Sequence, residues 1–378
     1  MNDEISNRIA RSLGQTDLPM RLAKELSGAD FHSLILSALK HRIADTKIQD
    51  VLKYSPVTKS CDLDGRLLHQ VEALAYEAAE EFEVVELAPF LPLGAVSLLT
   101  KLDQANVLST IRGFECASDP TVGMGIECAH RRKSPSLRKT NTRLCTVQRI
   151  TRFPLPKNPA YTAHFKLFSL VTAGRDGGSF SFETEALYQH VRCYLSLIEK
   201  LMAKEFFFQD IVVEISDTRI VSELCAYFDL DRELVRQQVR VRDAESSARL
   251  LAPFVETWPK IVGYPFSELE ALNLTPHFLK HLQLIEEKVA QPLRTEFKNV
   301  NVIFNTQRLT GLGYYEGPCF HIKVKNAVSE NFALADGGFV NWSKVLLTDS
   351  KERLMTSAIG LELLCRVFRA ASKRDFPA

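Results

Sequence analysis

The stretch RLTGLGYYEGPCFHI, residues 308–322, decides how the chain is read. Gly311, Gly313 and Gly317 make a glycine-spaced turn around two adjacent tyrosines, and CFHIKVK (319–325) then alternates as a strand does. Alone, this predicts either a hairpin with an aromatic plug or the wall of a pocket. Further strands lie close by, NVNVIFN (299–305) before it and NFALA (331–335) after it. Closely spaced strands among long helical segments predict an α+β fold, an antiparallel sheet with helices packed on it.

Working outward, FHSLILSALKHRIADTKIQDVL places helix in residues 1–60, and SPVTKSCDLDG (55–65) breaks it. Leu68, Val71, Leu74, Ala75, Ala78 and Phe82 form a helical stripe, followed by the extended VVELAPFLPLGAV. A helix over about 184–204 leads into the strand IVVEI (211–215). Residues 217–298 read as mainly helical, with Thr275-Pro276 opening one helix, and a final helix is expected over about 357–371. The expected organisation is a helical N-terminal extension (1–60), a core (61–216 and 299–378) and a mainly helical insertion (217–298).

The balance of 47 basic and 46 acidic residues gives a net charge of +1, so any anion site must be local. The opening MNDEISNRIARSLG has no apolar segment of the signal-peptide kind, and no apolar run approaches a membrane span. The eight cysteines show no paired or metal-ligand spacing and read as reduced thiols of a cytoplasmic protein.

Charge is nonetheless clustered. Between Glu127 and Asp176 there is no acidic residue, yet there are eleven basic ones, among them Arg149 and Arg152 in the strand-like TVQRITRF. This interval fits a phosphate-bearing or RNA ligand, or a solvated basic loop paired with acids from elsewhere. A second polar cluster, STIRGFECASDPTVGMGIECAHRR (109–132), carries Arg112, Glu115, Asp119, Thr121 and Glu127. Asp-Pro-Thr offers charge and a directional acceptor for an ammonium group, and it is equally a turn signature.

Three segments, taken in order, resemble the catalytic domain of histidyl-tRNA synthetase and its class II relatives. SDPTVGMGIECAHR resembles the segment that grips the substrate α-amine, which implies that role for Asp119 and Thr121. RLTGLGYYEGPCFHI resembles the tyrosine motif framing the amino-acid pocket, implying Tyr314 and Tyr315 as its wall. FALADGGFVNWSKVL, with LMTSAIGLELLCRVF, resembles the glycine-rich strand and motif 3, bringing in Gly337, Gly338 and Glu362. The helix at 66–82 with VVELAPFLPLG resembles motif 1, the family's usual homodimer element. TVQRITRF resembles motif 2, with Arg149 as its arginine.

There are departures. Thr310 stands where these enzymes have arginine, with Arg308 two residues earlier. Gly313 replaces an aspartate, Phe339-Val340-Asn341 replaces arginine-tyrosine-aspartate, and Leu363 replaces the arginine that stacks on adenine. The acid expected after the motif 2 arginine is Thr151.

The resemblance implies two functions. One is a ligase that activates a small amino or carboxylic acid with ATP and Mg2+ for transfer to a protein or RNA acceptor. Arg149, Arg112 and Glu115 would be catalytic, Arg149 and Arg152 phosphate-binding, Glu127 substrate-binding and Glu362 metal-binding. The other is a catalytically silent paralogue, like the regulatory subunit of ATP phosphoribosyltransferase, acting on a partner enzyme.

Overall fold

The computed structural model describes residues 3–53, 55–153, 162–227, 231, 233, 235, 275–305, 308 and 310–369. Side-chain caps open several of its helices. Ser27 accepts from the Asp30 backbone N–H to start α3 (Gly28–Ala44), which follows α1 (Asp3–Ser12) and α2 (Leu18–Lys24). Asp64 accepts from the Arg66 backbone N–H to start α4 (Gly65–Ala78), which buries Leu68, Val71 and Ala75 at helical spacing.

The chain continues through β1 (Glu83–Val84), β2 (Phe90–Pro92), α5 (Ala95–Thr100), β3 (Phe114–Cys116) and α6 (Pro120–Arg131). Next come β4 (Thr142–Thr151), β5 (His164–Arg175), α7 (Ser181–Met202), β6 (Gln209–Asp217) and α8 (Ile220–Tyr227). After the undescribed stretch, α9 (Pro276–Ile285) passes through one π turn (Glu286–Ala290) into α10 (Gln291–Glu296). The last elements are β7 (Val300–Phe304), β8 (Pro318–Lys325), β9 (Asn331–Val340), α11 (Trp342–Leu347), β10 (Glu352–Gly360) and α12 (Leu361–Val367).

Contacts divide the chain into two compact units. The first holds residues 1–61, 88–118 and 150–164, and within it β2 and β3 form a two-stranded sheet. The second holds residues 62–87, 119–149 and 165–378, organised around an eight-stranded sheet ordered β1-β4-β5-β10-β9-β8-β6-β7. The pairings β5–β10, β10–β9, β9–β8 and β8–β6 are antiparallel, as expected, while the two outermost pairs, β1–β4 and β6–β7, are parallel.

Two expectations are corrected. The final helix does not begin near 357, because 352–360 is the strand β10 and only Leu361–Val367 is helical; Gly360 separates them. NFALA is the start of a strand twice that length, since Gly337 and Gly338 continue it to Val340. The expected insertion at 217–298 is helical in its described parts, α8, α9 and α10, and residues 236–274 with Trp258 lie outside the described residues.

Candidate functional site: the polar face of the sheet

Residues paired across a sheet share a face, and neighbours along a strand alternate. One face of the large sheet lies against helices. There His190 of α7 sits between Thr172 of β5 and Ser357 of β10, with Nε2 2.9 Å from Thr172 Oγ1 and Nδ1 2.7 Å from Ser357 Oγ. Tyr194 also reaches Ser357, at 2.9 Å, and its ring meets Phe168 edge-on. Burial pushes the His190 pKa down to about 3, so its imidazole is neutral.

The opposite face is polar. One row across it reads Ser169, Ala358, Asp336, His321 and Glu214; the next reads Val171, Thr356, Gly338, Cys319 and Ser216. Small residues and glycine keep this floor low while charged groups stand on it. Asp336 holds His321 Nε2 at 3.4 Å and Arg308 Nη2 at 2.8 Å. Although half of the Asp336 side chain stays exposed, its partial desolvation would raise its pKa; the His321 hydrogen bond and the Arg308 charge outweigh this and hold the carboxyl below its ordinary value. Glu214 takes Lys323 Nζ at 2.7 Å and Asn305 Nδ2 at 3.3 Å. Cys319, fully buried, has its thiol pushed up to about 12 by desolvation and is no nucleophile at neutral pH.

The tyrosine motif builds one end of this face. A Cβ on Gly311 would come within 2.5 Å of the Tyr315 ring, and one on Gly338 within 2.7 Å. Tyr315 therefore lies flat in a seat that only two glycines leave open, and at Gly311 a φ of +89° requires glycine as well. The Arg308 guanidinium stands 5.7 Å over the Tyr315 ring, and Tyr314 meets Trp342 edge-on at 5.9 Å. Gly337 faces the helices instead, where a Cβ would strike Ser357 and Phe320.

The chain has the class II aminoacyl-tRNA synthetase fold. An ATP phosphoribosyltransferase regulatory subunit/histidyl-tRNA synthetase from Bacillus halodurans superposes with a TM-score of 0.61 over 84% of this chain and 83% of its own, at 14% identity. Histidyl-tRNA synthetase from Nostoc gives 0.59 over 83% and 74%, at 13% identity. The ATP phosphoribosyltransferase (HisG:HisZ) complex from Thermotoga maritima gives 0.50 over 79% and 97%, at 15% identity. No protein-family profile and no curated protein sequence matches the chain.

Within this fold, several residues picked from the sequence serve other ends. Arg149 has the strand parity of Arg143, whose guanidinium reaches Glu185 and Gln189 of α7, so it lies on the helix side of the sheet. There Arg149 Nη2 meets Glu362 Oε1 at 2.6 Å. Glu362 also accepts from the Lys166 backbone N–H and stands 3.8 Å from Arg366, so its oxygens are committed and do not fit a metal ligand. Among the described residues no group of three His, Cys, Asp or Glu could hold a metal ion. Leu363, in place of the stacking arginine, packs beside Gly360.

Asp119 is the N-cap of α6: its Oδ1 accepts from both the backbone N–H and the Oγ1 of Thr121, which is buried. Asp-Pro-Thr thus forms the turn that opens α6. Glu127 pairs with Arg131 one helical turn on. In the first unit, Glu115 is fully buried and takes the Gly94 and Val96 backbone N–H groups and Gln104 Nε2, each at 2.8 Å. It fastens the start of α5. Arg112 is exposed, and Arg152 Nε donates to the Ser118 carbonyl at 3.3 Å.

What the sequence reading missed stands on the polar face: Thr146, Ser169, Ser216, Asp336 and His321. The available signal was parity, since Thr146 alternates with the outward residues of β4 and Asp336 immediately precedes the two glycines.

Proposed function

We propose that this chain is a non-adenylating relative of the class II synthetases that binds a small polar ligand on the polar sheet face and acts through a partner protein. The observation that carries this is the buried Arg308 Nη1, which has no hydrogen-bond partner although its neighbour Nη2 holds Asp336 on that face. Buried polar groups in native proteins are almost always satisfied, so an unpartnered buried guanidinium nitrogen suits a ligand that accepts from it. Net charge there is close to balanced, Arg308 and Lys323 against Asp336 and Glu214, which suits a neutral or zwitterionic molecule such as a small amino or carboxylic acid better than a triphosphate.

The ligase reading needs a guanidinium for the phosphates of ATP. Arg149 and Arg308, the natural candidates, each already hold a carboxylate, and Leu363 offers no stacking plane. Support for a protein partner comes from the Thermotoga relative, which was solved as a HisG:HisZ complex. Self-association is supported by apolar residues left exposed in the first unit, Phe90 at 49%, Leu98 at 80% and Phe114 at 52%. No described helix is long and apolar enough to cross a membrane.

The test is ATP–pyrophosphate exchange across the twenty amino acids, run beside thermal-shift binding of the same compounds. Binding of one without exchange is the expected result. Exchange with any amino acid overturns the proposal and reinstates the ligase.

A further inference from the structure

A cavity of about 420 Å³ opens at the end of the sheet where β9 finishes and β10 begins, outside the polar face. The loop of the tyrosine motif forms one wall, and the first turn of α7 forms another, through Phe180 and Glu183. The volume lies within the range of small-molecule pockets, at its small end.

The cations that line it are already engaged. Arg353 Nε donates to Glu183 Oε1 at 3.0 Å and its Nη2 to Asp176 at 2.6 Å. Arg219 is clamped on Asp217 by Nε at 2.9 Å and reaches His281 through Nη1. Lys344 stands 3.8 Å from Glu316.

Glu183 is the exception. The residue is 8% exposed, and while Oε1 receives Arg353, the buried Oε2 has no hydrogen-bond partner. Protonation would not satisfy it, because a carboxylic O–H placed there would itself need an acceptor. A buried carboxyl oxygen that receives no hydrogen bond calls for an N–H brought from outside, and the strongest such donor is a cationic nitrogen. The remaining walls suit the rest of such a molecule: Phe180, Tyr315 and Phe339 supply aromatic surface for an apolar body or for the cation itself.

We infer that this cavity is a binding site for a small organic amine, an ammonium or guanidinium on a short apolar body, with Glu183 Oε2 accepting its N–H. This site is independent of the ligand proposed for the polar face.

The test is calorimetric titration of the full chain with putrescine and with phenethylamine at neutral pH. Binding of at least one probe in the millimolar range or tighter is expected. Glu183→Gln, which keeps the Arg353 contact through its amide oxygen but removes the charge, should weaken it at least about tenfold. Leu312→Trp fills the cavity from the loop without touching the Glu183–Arg353 pair, and decides the matter if Glu183→Gln proves unfolded. Arg149→Gln, which lines neither the cavity nor the polar face, should leave amine binding unchanged. The inference is overturned if neither amine binds at millimolar concentration, or if the folded variants bind as the parent chain does.

Discussion

Arg308 and Asp336 are joined at 2.8 Å on the polar face of the sheet, the arginine almost wholly buried and the aspartate half exposed. An insulated guanidinium paired to an accessible carboxylate keeps this face nearly neutral while leaving Arg308 Nη1 without a protein partner. The pair is therefore a structural element, and under the proposed function the place where the ligand binds.

Asp336→Asn should destabilise the chain by about 1–3 kcal/mol, because a buried guanidinium loses its counter-charge. The effect should depend on pH. The folded pKa of Asp336 lies below its unfolded value, so its stabilisation is present above about pH 4 and lost as pH falls below that. Urea midpoints of parent and variant should differ at pH 7 and converge in acid.

His190 predicts a second slope, at higher pH. Its imidazole stays neutral in the folded chain with a pKa near 3, whereas the unfolded chain takes up a proton near pH 6.5. A depressed histidine of this kind contributes stability above about pH 6.5. That stability is lost as pH falls, by up to about 1.4 kcal/mol per pH unit. His190→Gln should flatten the slope of stability between pH 6.5 and 4, as read by thermal melts across that range.

Gly338→Ala should unseat Tyr315. A Cβ there would lie 2.7 Å from both the Tyr315 ring and Cys319 Cβ, so the ring must shift, at a cost of about 1–3 kcal/mol. Ligand affinity on the polar face should fall with it, whereas Gly65→Ala, whose Cβ would meet nothing, should leave affinity unchanged.

Arg149→Gln separates the two faces of the sheet. Loss of the guanidinium leaves Glu362 buried with one charge partner fewer, and stability should drop by about 1–2 kcal/mol. Ligand binding on the polar face should not change, whereas Arg308→Leu should abolish it. Equal loss of binding in both variants would place Arg149 at the ligand after all.

Much of this architecture was legible in the chain. The order of the Asp-Pro-Thr segment, the tyrosine turn and the Gly337–Gly338 strand led to the class II fold because each is a local signal: a cap, a turn needing glycine, an alternating strand. The low floor of the site was legible for the same reason, since Gly311 and Gly338 leave open the space in which an aromatic ring lies.

Which charged groups meet was decided only by the tertiary structure. Arg149 falls on the helix side because a strand reverses its side chains at every residue, and a resemblance loose by one position exchanges the faces. Asp336, two strands from Ser169 on one row, accepts from Arg308, which stands outside the strands 28 residues earlier in sequence. Glu115, Asp119 and Glu362 carry the residue types of a catalytic site, yet each is held by nearby N–H, hydroxyl or guanidinium donors. A carboxylate's role depends on which donors surround it, and that depends on packing between segments far apart in the chain.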